Sequence, residues 1–227
     1  MSKHRKILVV DVGGTHVKFV VAGGDPEREF ESGPDLTPRR MTKQLLAMTH
    51  DWRFDVVTIG YPGVVLHGKI VREPFNLGRG WVGFDFRAAL KRPVKIVNDA
   101  AMQALGCYEG GKMLFLGLGT GLGSALIVDG VVAPMELGHL HCGARTTYED
   151  LLGERGRERV GNRRWRKHVN KIVQSLQRAL LPDYVVLGGG NARHLKELPP
   201  GVRRGDNTYA FAGGVRLWNR KPVRGSR

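Results

Sequence analysis

The chain has 227 residues, and 36 Lys and Arg against 21 Asp and Glu leave a formal charge of +15. A hydrophobic share of 41% and a charged share of 25% are ordinary for a globular protein and exclude a wholly disordered one. Cys107 and Cys142 are too few for a disulfide scaffold or a four-cysteine zinc site, and no apolar run approaches the roughly 20 residues that span a bilayer.

Residues 7–10 form a β-branched run that is too short for a signal-peptide core and ends on Asp11. The expected setting is the cytoplasm, a reducing compartment, with no membrane partner. Residues 17–22 resume the apolar pattern after Asp-Val-Gly-Gly-Thr, which reads as strand, glycine turn, strand. Gly23, Gly24, Asp25 and Pro26 mark the next turn, and a third strand begins near Glu29 and Phe30. Met41, Leu45, Leu46 and Met48 recur at roughly helical spacing within residues 39–50, after the start signal Thr37-Pro38. Residues 54–59 read as a buried strand closed by Gly60-Tyr61-Pro62-Gly63. The order β-β-β-α-β predicts an α/β layer with a mixed sheet.

Residues 75–86 form a loop rich in glycine and aromatic side chains. A strand over 94–97 runs into Asn98-Asp99, and a helix is expected over 100–108 with Asp99 near its start. Strands over 113–116 and 124–128 flank the run Gly117-Leu-Gly-Thr-Gly-Leu-Gly123, and Asp129-Gly130 turns the chain back into Val131-Val132. This second β-β-β series echoes the first and predicts two related lobes. Residues 148–181 are helical by composition, with glycines between Gly153 and Gly161 as an interruption. A strand over 184–187 runs into Gly188-Gly189-Gly190, and residues 209–218 can form one more short helix.

Three glycine turns carry candidate chemistry. At Asp11-Val-Gly13-Gly14-Thr15 the glycines let the backbone approach a ligand, and N–H groups with the Thr15 hydroxyl can cradle phosphate oxygens. Asp11 can hold Mg²⁺ there. The same text also suits an ordinary hairpin with an Asp cap. The run from Gly117 to Gly123 mimics a dinucleotide fingerprint, which requires a helix after the turn. Ser124 onward reads as strand, so Gly119-Thr120-Gly121 fits a second phosphate hairpin instead. Gly106-x₄-Gly111-Lys112 mimics a P-loop, but Met113 stands where a Mg²⁺-binding hydroxyl is needed and a strand follows. At Gly188-Gly189-Gly190 a flat base or a phosphate chain can pack on the backbone. Asp99 can act as a general base on a hydroxyl, as a helix cap, or as both. Phosphoryl transfer asks for positioning and charge neutralisation, so one base and one metal suffice.

In order, Asp11-Val-Gly-Gly-Thr-His-Val-Lys18, Gly60-Tyr-Pro-Gly63, Asn98-Asp99-Ala100, Gly117-Leu-Gly-Thr-Gly-Leu-Gly-Ser124, Glu136-Leu-Gly-His139 and Gly188-Gly-Gly190 resemble the ROK sugar kinases. The phrases Thr-Gly-Leu-Gly-Ser-Ala-Leu and Glu-Leu-Gly-His-Leu resemble the polyphosphate glucokinase branch most. The resemblance implies an α/β, actin-like, two-lobed fold of the sugar kinase and heat-shock ATPase type, with ribonuclease H-like lobes. The lobes are expected at residues 1–98, with 209–227 able to pack back on them, and at 99–208. It implies a hexose phosphotransferase that moves a phosphoryl group from polyphosphate or ATP to a hexose, glucose O6 foremost. Asp99 is the implied base, and Asn98, Glu136, His139 and His141 the implied sugar-binding residues. Gly13, Gly14, Thr15, Lys18, Gly119, Thr120, Gly121, Gly188 and Gly189 are expected around the donor, with Asp11 placing Mg²⁺. The loop over 76–85, with Trp81, resembles the family's sugar-side loop. A homodimer is expected by the same resemblance.

Two departures stand out. The family's zinc motif, a His followed by clustered cysteines, is reduced to His139 and Cys142, so no structural zinc is expected, as in the polyphosphate branch. His141 stands where the related kinases carry a Glu, which bears on sugar choice. An ATP-dependent kinase for another hexose and a non-catalytic sugar or polyanion binder remain open. A sugar-responsive repressor is disfavoured, because only six residues precede the first strand.

The charge is uneven, +3 over residues 1–144 and +12 over 145–227. Arg155, Arg157, Arg159, Arg163, Arg164, Arg166, Lys167 and Lys171 form a cluster interrupted by Glu158. It can line a polyphosphate path through many salt-dependent contacts, or form a solvated helix face. Nucleic acid is the less favoured polyanion.

Overall fold

In the computed structural model, which describes residues 5–24, 26–206 and 208–219, strand β1 (Ile7–Val12) is buried along nearly its whole length. Asp25 of the turn expected at 23–26 and residues 220–227 lie outside the described residues. β1 turns at Gly13–Thr15 into antiparallel β2 (His16–Val21), which pairs with β3 (Arg28–Glu31). Helix α1 (Pro38–Met48) starts where Thr37 Oγ1 accepts the Arg40 N–H, with Pro38 in the first turn where no donor is needed. Its inner face is Met41, Thr42 and Leu45. Strand β4 (Val56–Tyr61) is fully buried, as a central parallel strand must be.

A hairpin of β5 (Val65–Leu66) and β6 (Lys69–Ile70) was not anticipated, nor was α2 (Phe86–Leu90), capped by the Asp85 carboxylate. Strand β7 (Val94–Asn98) leads directly into α3 (Asp99–Cys107). The first sheet has the order β3-β2-β1-β4-β7, with β1, β4 and β7 parallel.

The second sheet repeats this plan. β8 (Lys112–Leu118), β9 (Leu122–Val128) and β10 (Val131–Met135) form an antiparallel meander. The glycine run expected as a loop is mostly ladder: Gly117 pairs with Gly123 and Leu118 with Leu122, so only Gly119–Gly121 turn. Leu116, Leu118 and Leu122 keep a buried apolar face through the glycines, which is why pairing continues. Helix α4 (Tyr148–Leu152) opens on a capping box between Thr147 and Asp150. Helix α5 (Glu154–Leu180) breaks at Gly161, whose φ of +73° is outside helical values. Strand β11 (Tyr184–Gly188) and the unanticipated β12 (Val202–Arg204) complete the order β10-β9-β8-β11-β12.

The chain forms two compact units, residues 1–102 with 210–227, and residues 103–209. The first has a core around Leu8, Val10, Phe19, Ile59, Tyr61 and Trp81, and the second one around Leu114, Leu116, Trp165, Val169 and Leu187. Helix α6 (Tyr209–Asn219) covers the other face of the first sheet, over Ile7, Val9, Val56 and Met102. The Thr58 hydroxyl donates to the Gly214 carbonyl at 2.8 Å, and Trp218 Nε1 donates to the same hydroxyl at 2.9 Å. No described helix is long and apolar enough to cross a membrane.

Within the second unit, a Cβ on Gly106 would lie 1.8 Å from the Tyr209 carbonyl oxygen. Gly106→Ala is therefore expected to destabilise the protein by about 1–3 kcal/mol, the usual range for overpacking. A urea midpoint equal to that of the unmodified protein would contradict this close approach.

Candidate active site

In each sheet several candidate residues lie at the carboxyl ends of parallel strands, the edge where open α/β sheets bind ligands, whereas Lys18 lies within antiparallel β2 and Glu136, His139 and His141 follow antiparallel β10. In the first unit, Asp11, the penultimate residue of β1, pairs with Gly60 of β4, and Tyr61 of β4 pairs with Asn98 of β7. A Cβ at Gly60 would strike Met102 at 2.3 Å and lie 3.3 Å from Asp11 Oδ1, so glycine leaves room for both. Burial pushes the Asp11 carboxyl up to about 7; the Asp99 charge adds to this and Lys18 opposes it.

Asn98 is committed to structure through both ends of its amide. Its Nδ2 donates to the Gly63 carbonyl at 3.1 Å, and its Oδ1 accepts the Ala101 N–H at 3.0 Å. Asp99 Oδ1 accepts the Ala100 N–H at 2.8 Å. The Asn98 amide thus ties the Gly60–Gly63 turn to the start of α3 and fixes where Asp99 emerges.

The Gly13 N–H donates to the His16 carbonyl at 2.9 Å, and the Gly13 carbonyl accepts the Ser32 hydroxyl at 2.7 Å. This leaves the exposed tip, Gly14 and Thr15, as the part of the turn that faces solvent, with the Asn76 side chain beside Gly14. Lys18 points to carboxylates instead: its ammonium lies 3.2 Å from Glu27 and 3.4 Å from Glu29, and hydrogen bonding to Glu27 raises its pKa.

The loop over 76–85 is organised by Glu73, a residue that sequence reasoning passed over. Its carboxylate accepts the N–H groups of Gly80, Trp81 and Val82 at 3.0–3.2 Å. Trp81 is wholly buried against Tyr61 and Phe86, so it anchors this loop in the core. Burial raises the Tyr61 hydroxyl pKa, and that hydroxyl donates to the Arg72 carbonyl at 2.9 Å.

In the second unit, Gly119, Thr120 and Gly121 are held from three sides. Asn191 Nδ2 donates to the Gly119 carbonyl at 3.0 Å, and the Glu154 N–H donates to the same oxygen at 3.0 Å. Glu149 Oε2 accepts the Leu122 N–H at 3.1 Å and occupies the place a Gly121 side chain would take, 2.4 Å from its Cβ position. Gly189, at φ +80°, passes so close to β8 that a Cβ would lie 2.4 Å from the Leu118 carbonyl oxygen. Gly188 and Gly189 therefore serve packing against β8, directly beside the Gly119 turn.

Glu136 and His139 are exposed on a single tight turn, Leu137–His139. Buried Ser124 fastens this segment: its hydroxyl donates to the Met135 carbonyl at 2.8 Å and accepts the Leu137 N–H at 3.0 Å. His141 is exposed and pairs through its backbone with Thr147. Cys142 closes the short turn between them, with N–H and Sγ both on the Thr146 carbonyl.

No protein-family model matches the chain. The polyphosphate glucokinase of Mycobacterium tuberculosis is 29% identical over 213 residues, covering 84% of this chain and 80% of that protein. The chain is thus similar to polyphosphate glucokinases over most of its length. The solved inorganic polyphosphate/ATP-glucomannokinase of an Arthrobacter strain superposes with a TM-score of 0.80 at 23% identity, over 94% of this chain and 98% of that one. A ROK family glucokinase of Streptomyces griseus, solved with glucose and AMPPNP, gives a TM-score of 0.71 at 16% identity, over 93% and 98%. These superpositions give the chain the actin-like fold of those kinases, with two five-stranded sheets of one repeated order.

Proposed function

We propose that the chain is a hexokinase that transfers a phosphoryl group from inorganic polyphosphate or ATP to a hexose hydroxyl, foremost glucose O6. The observation that carries this is the likeness to polyphosphate glucokinases over 84% of the chain. The local chemistry supports it. Asp99 opens α3 directly after parallel strand β7, a carboxylate of the kind that can receive a hydroxyl proton, and two glycine turns offer backbone to phosphate.

A divalent cation fits Asp11. Two carboxylates in one neighbourhood, one with a strongly raised pKa, are a donor set that a positive ion relieves. Among the described residues no three His, Cys, Asp or Glu side chains cluster as metal ligands. Asp11 would therefore share Mg²⁺ with water and donor oxygens, the usual manner for this ion. Bound there, Mg²⁺ would neutralise charge on the transferred phosphate. Glu136, His139 and His141 are the sugar-side candidates of the second unit, and Asn98 that of the first.

The test is a panel of hexoses against polyphosphate, ATP and GTP, with the position of the product phosphate determined. Glucose 6-phosphate formed from polyphosphate is the expected product. A protein that binds hexose yet turns over no donor would overturn the reading in favour of a non-catalytic binder. Turnover of a different hexose would instead point to His141 as the source of altered sugar choice.

A further inference from the structure

The segment between the loop over 76–85 and strand β7 takes no part in the candidate active site, yet it carries an open cavity of about 440 Å³. Asp85, Arg87, Ala88, Lys91, Arg92 and Pro93 line it. Helix α2 supplies Arg87 and Ala88, with Asp85 as its cap, and the turn into β7 supplies the rest. The volume falls within the range of small-molecule sites, about 300–1,000 Å³. Pro93 stands just before the amino end of β7, and Asn98 closes the carboxyl end. The strand between them is five residues long, roughly 16 Å, so the cavity is separate from Asn98 and Asp99.

The charges around it are largely uncommitted. Asp85 Oδ1 accepts the Ala88 N–H at 2.9 Å, which leaves Oδ2 as an acceptor. Arg92 is fixed by two backbone carbonyls: Nε donates to that of Phe54 at 3.1 Å and Nη1 to that of Lys91 at 2.9 Å. Its guanidinium also lies 6.0 Å from the Phe54 ring centre, and Nη2 takes no part in either bond. Among the described residues, Arg87, Lys91 and Arg92 make no ion pair. Three cations against one carboxylate make the cavity positive, and like charges held together favour an anion that enters.

Lys91 adds a second observation. It ends α2 at φ +50°, the left-handed conformation in which glycine is the usual residue. Lysine there carries a conformational cost that glycine avoids, and what it supplies in return is an ammonium beside the cavity. Helix α2 has five residues, too few for its dipole to call for a row of cations at its end.

The remaining lining groups say what the anion carries. A bare phosphate fills only a small part of this volume, so a larger body accompanies it. Asp85 Oδ2 can accept a hydroxyl from that body, and Ala88 and Pro93 offer it a small apolar surface. Guanidinium and ammonium groups for a phosphate, with an acceptor for hydroxyls, match a sugar phosphate. A flat base finds no aromatic ring among the lining residues.

We propose that Asp85, Arg87, Lys91 and Arg92 form a second ligand site, for a hexose phosphate, at the amino edge of the first sheet. The three cations take the phosphate, and Asp85 takes a hydroxyl. The choice of a hexose phosphate among phosphate monoesters rests on the kinase reading above, whose product it is; the cavity and its charge do not. The ligand bridges Asp85, the last residue of the loop over 76–85, and Pro93, the residue before the strand that leads to Asp99. The enzyme thus holds its own class of product on the segment that joins those two parts.

Calorimetry on the whole protein tests this, with glucose 6-phosphate titrated in against saturating glucose. The glucose occupies the candidate active site, so the heat reports the second site. One site per chain is expected, weakened at least about tenfold in Arg87→Ala/Lys91→Gly, the usual effect of losing charged hydrogen bonds. Glycine suits the backbone at position 91, so this variant should melt no lower than Arg87→Ala alone. Its kcat and its KM for hexose should stay within about threefold of the parent, because neither residue lies among the candidate catalytic groups. Arg178→Ala, on α5 of the other unit, controls for lost charge and should bind as the parent does. Unaltered binding in the double variant, or an equal loss in Arg178→Ala, would overturn the site. Inorganic phosphate binding as tightly as glucose 6-phosphate would overturn the assignment to a sugar phosphate. If the protein phosphorylates no hexose, the kinase reading falls by itself, and the double variant still decides whether the cavity takes the ligand.

Discussion

Asp99→Asn is expected to lower kcat for hexose phosphorylation by about 10²–10⁴-fold, the usual share of a general base. The amide keeps an oxygen in the position that accepts the Ala100 N–H, so the start of α3 survives. What it loses is the capacity to take a proton from the sugar hydroxyl. The melting temperature should therefore stay within a degree or two, and hexose binding by calorimetry should change little. Steady-state kinetics with saturating donor checks the rate. A variant that keeps kcat would remove Asp99 from the chemistry and leave it as a helix cap alone.

Asp11→Asn is expected to separate stability from activity. The Asp11 carboxyl titrates at about 7 when folded, against an ordinary 3.8. Between roughly pH 4 and 7 the folded protein therefore holds a proton that the unfolded chain releases. Stability from this group falls as pH rises through that window, and the cost is complete above pH 7. Removing the charge should stabilise the protein at pH 8 in EDTA by about 1–3 kcal/mol, below the full linkage value because the side chain keeps some solvent. The gain should vanish near pH 4. With Mg²⁺ present the same variant should lose at least about a hundredfold in kcat, matching the several kcal/mol that a metal's charge supplies. Urea unfolding across pH 4–8 and one kinetic assay check both halves. A variant less stable than the parent at pH 8 without metal would show that the Asp11 charge is not a burden to the fold.

Much of the architecture was legible because it rests on local patterns. The β-branched runs, glycine turns and the repeated β-β-β order foretold both sheets, α1 lies close to where periodicity placed it, and α3 and α6 lie where helices were expected. The misses were short elements: β5, β6, α2 and β12 each span two to five residues, too few for a period to show. The glycine run was overread because its glycines promised a loop, while alternating leucines kept it in the ladder. The supports of the candidate site were invisible for another reason. Glu73 serves backbone N–H groups seven to nine residues away, and Ser124 and Asn191 serve carbonyls or amides on other elements. Their roles exist only after folding, and neither residue type nor spacing announces them.

Helix α6 has a consequence for how the protein comes into being. It lies on Ile7, Val9 and Val56, and a Cβ on Gly214 would sit 2.3 Å from Val9 Cγ1. The ribosome delivers every strand of the first sheet before β8, yet this cover arrives only after β12. At about 5–20 residues per second that interval lasts several seconds. The second unit, contiguous in sequence, completes its own sheet meanwhile. For those seconds the nascent chain shows an apolar sheet face to the cell, and a translational pause before residue 209 prolongs the time in which chaperones or aggregation compete for it.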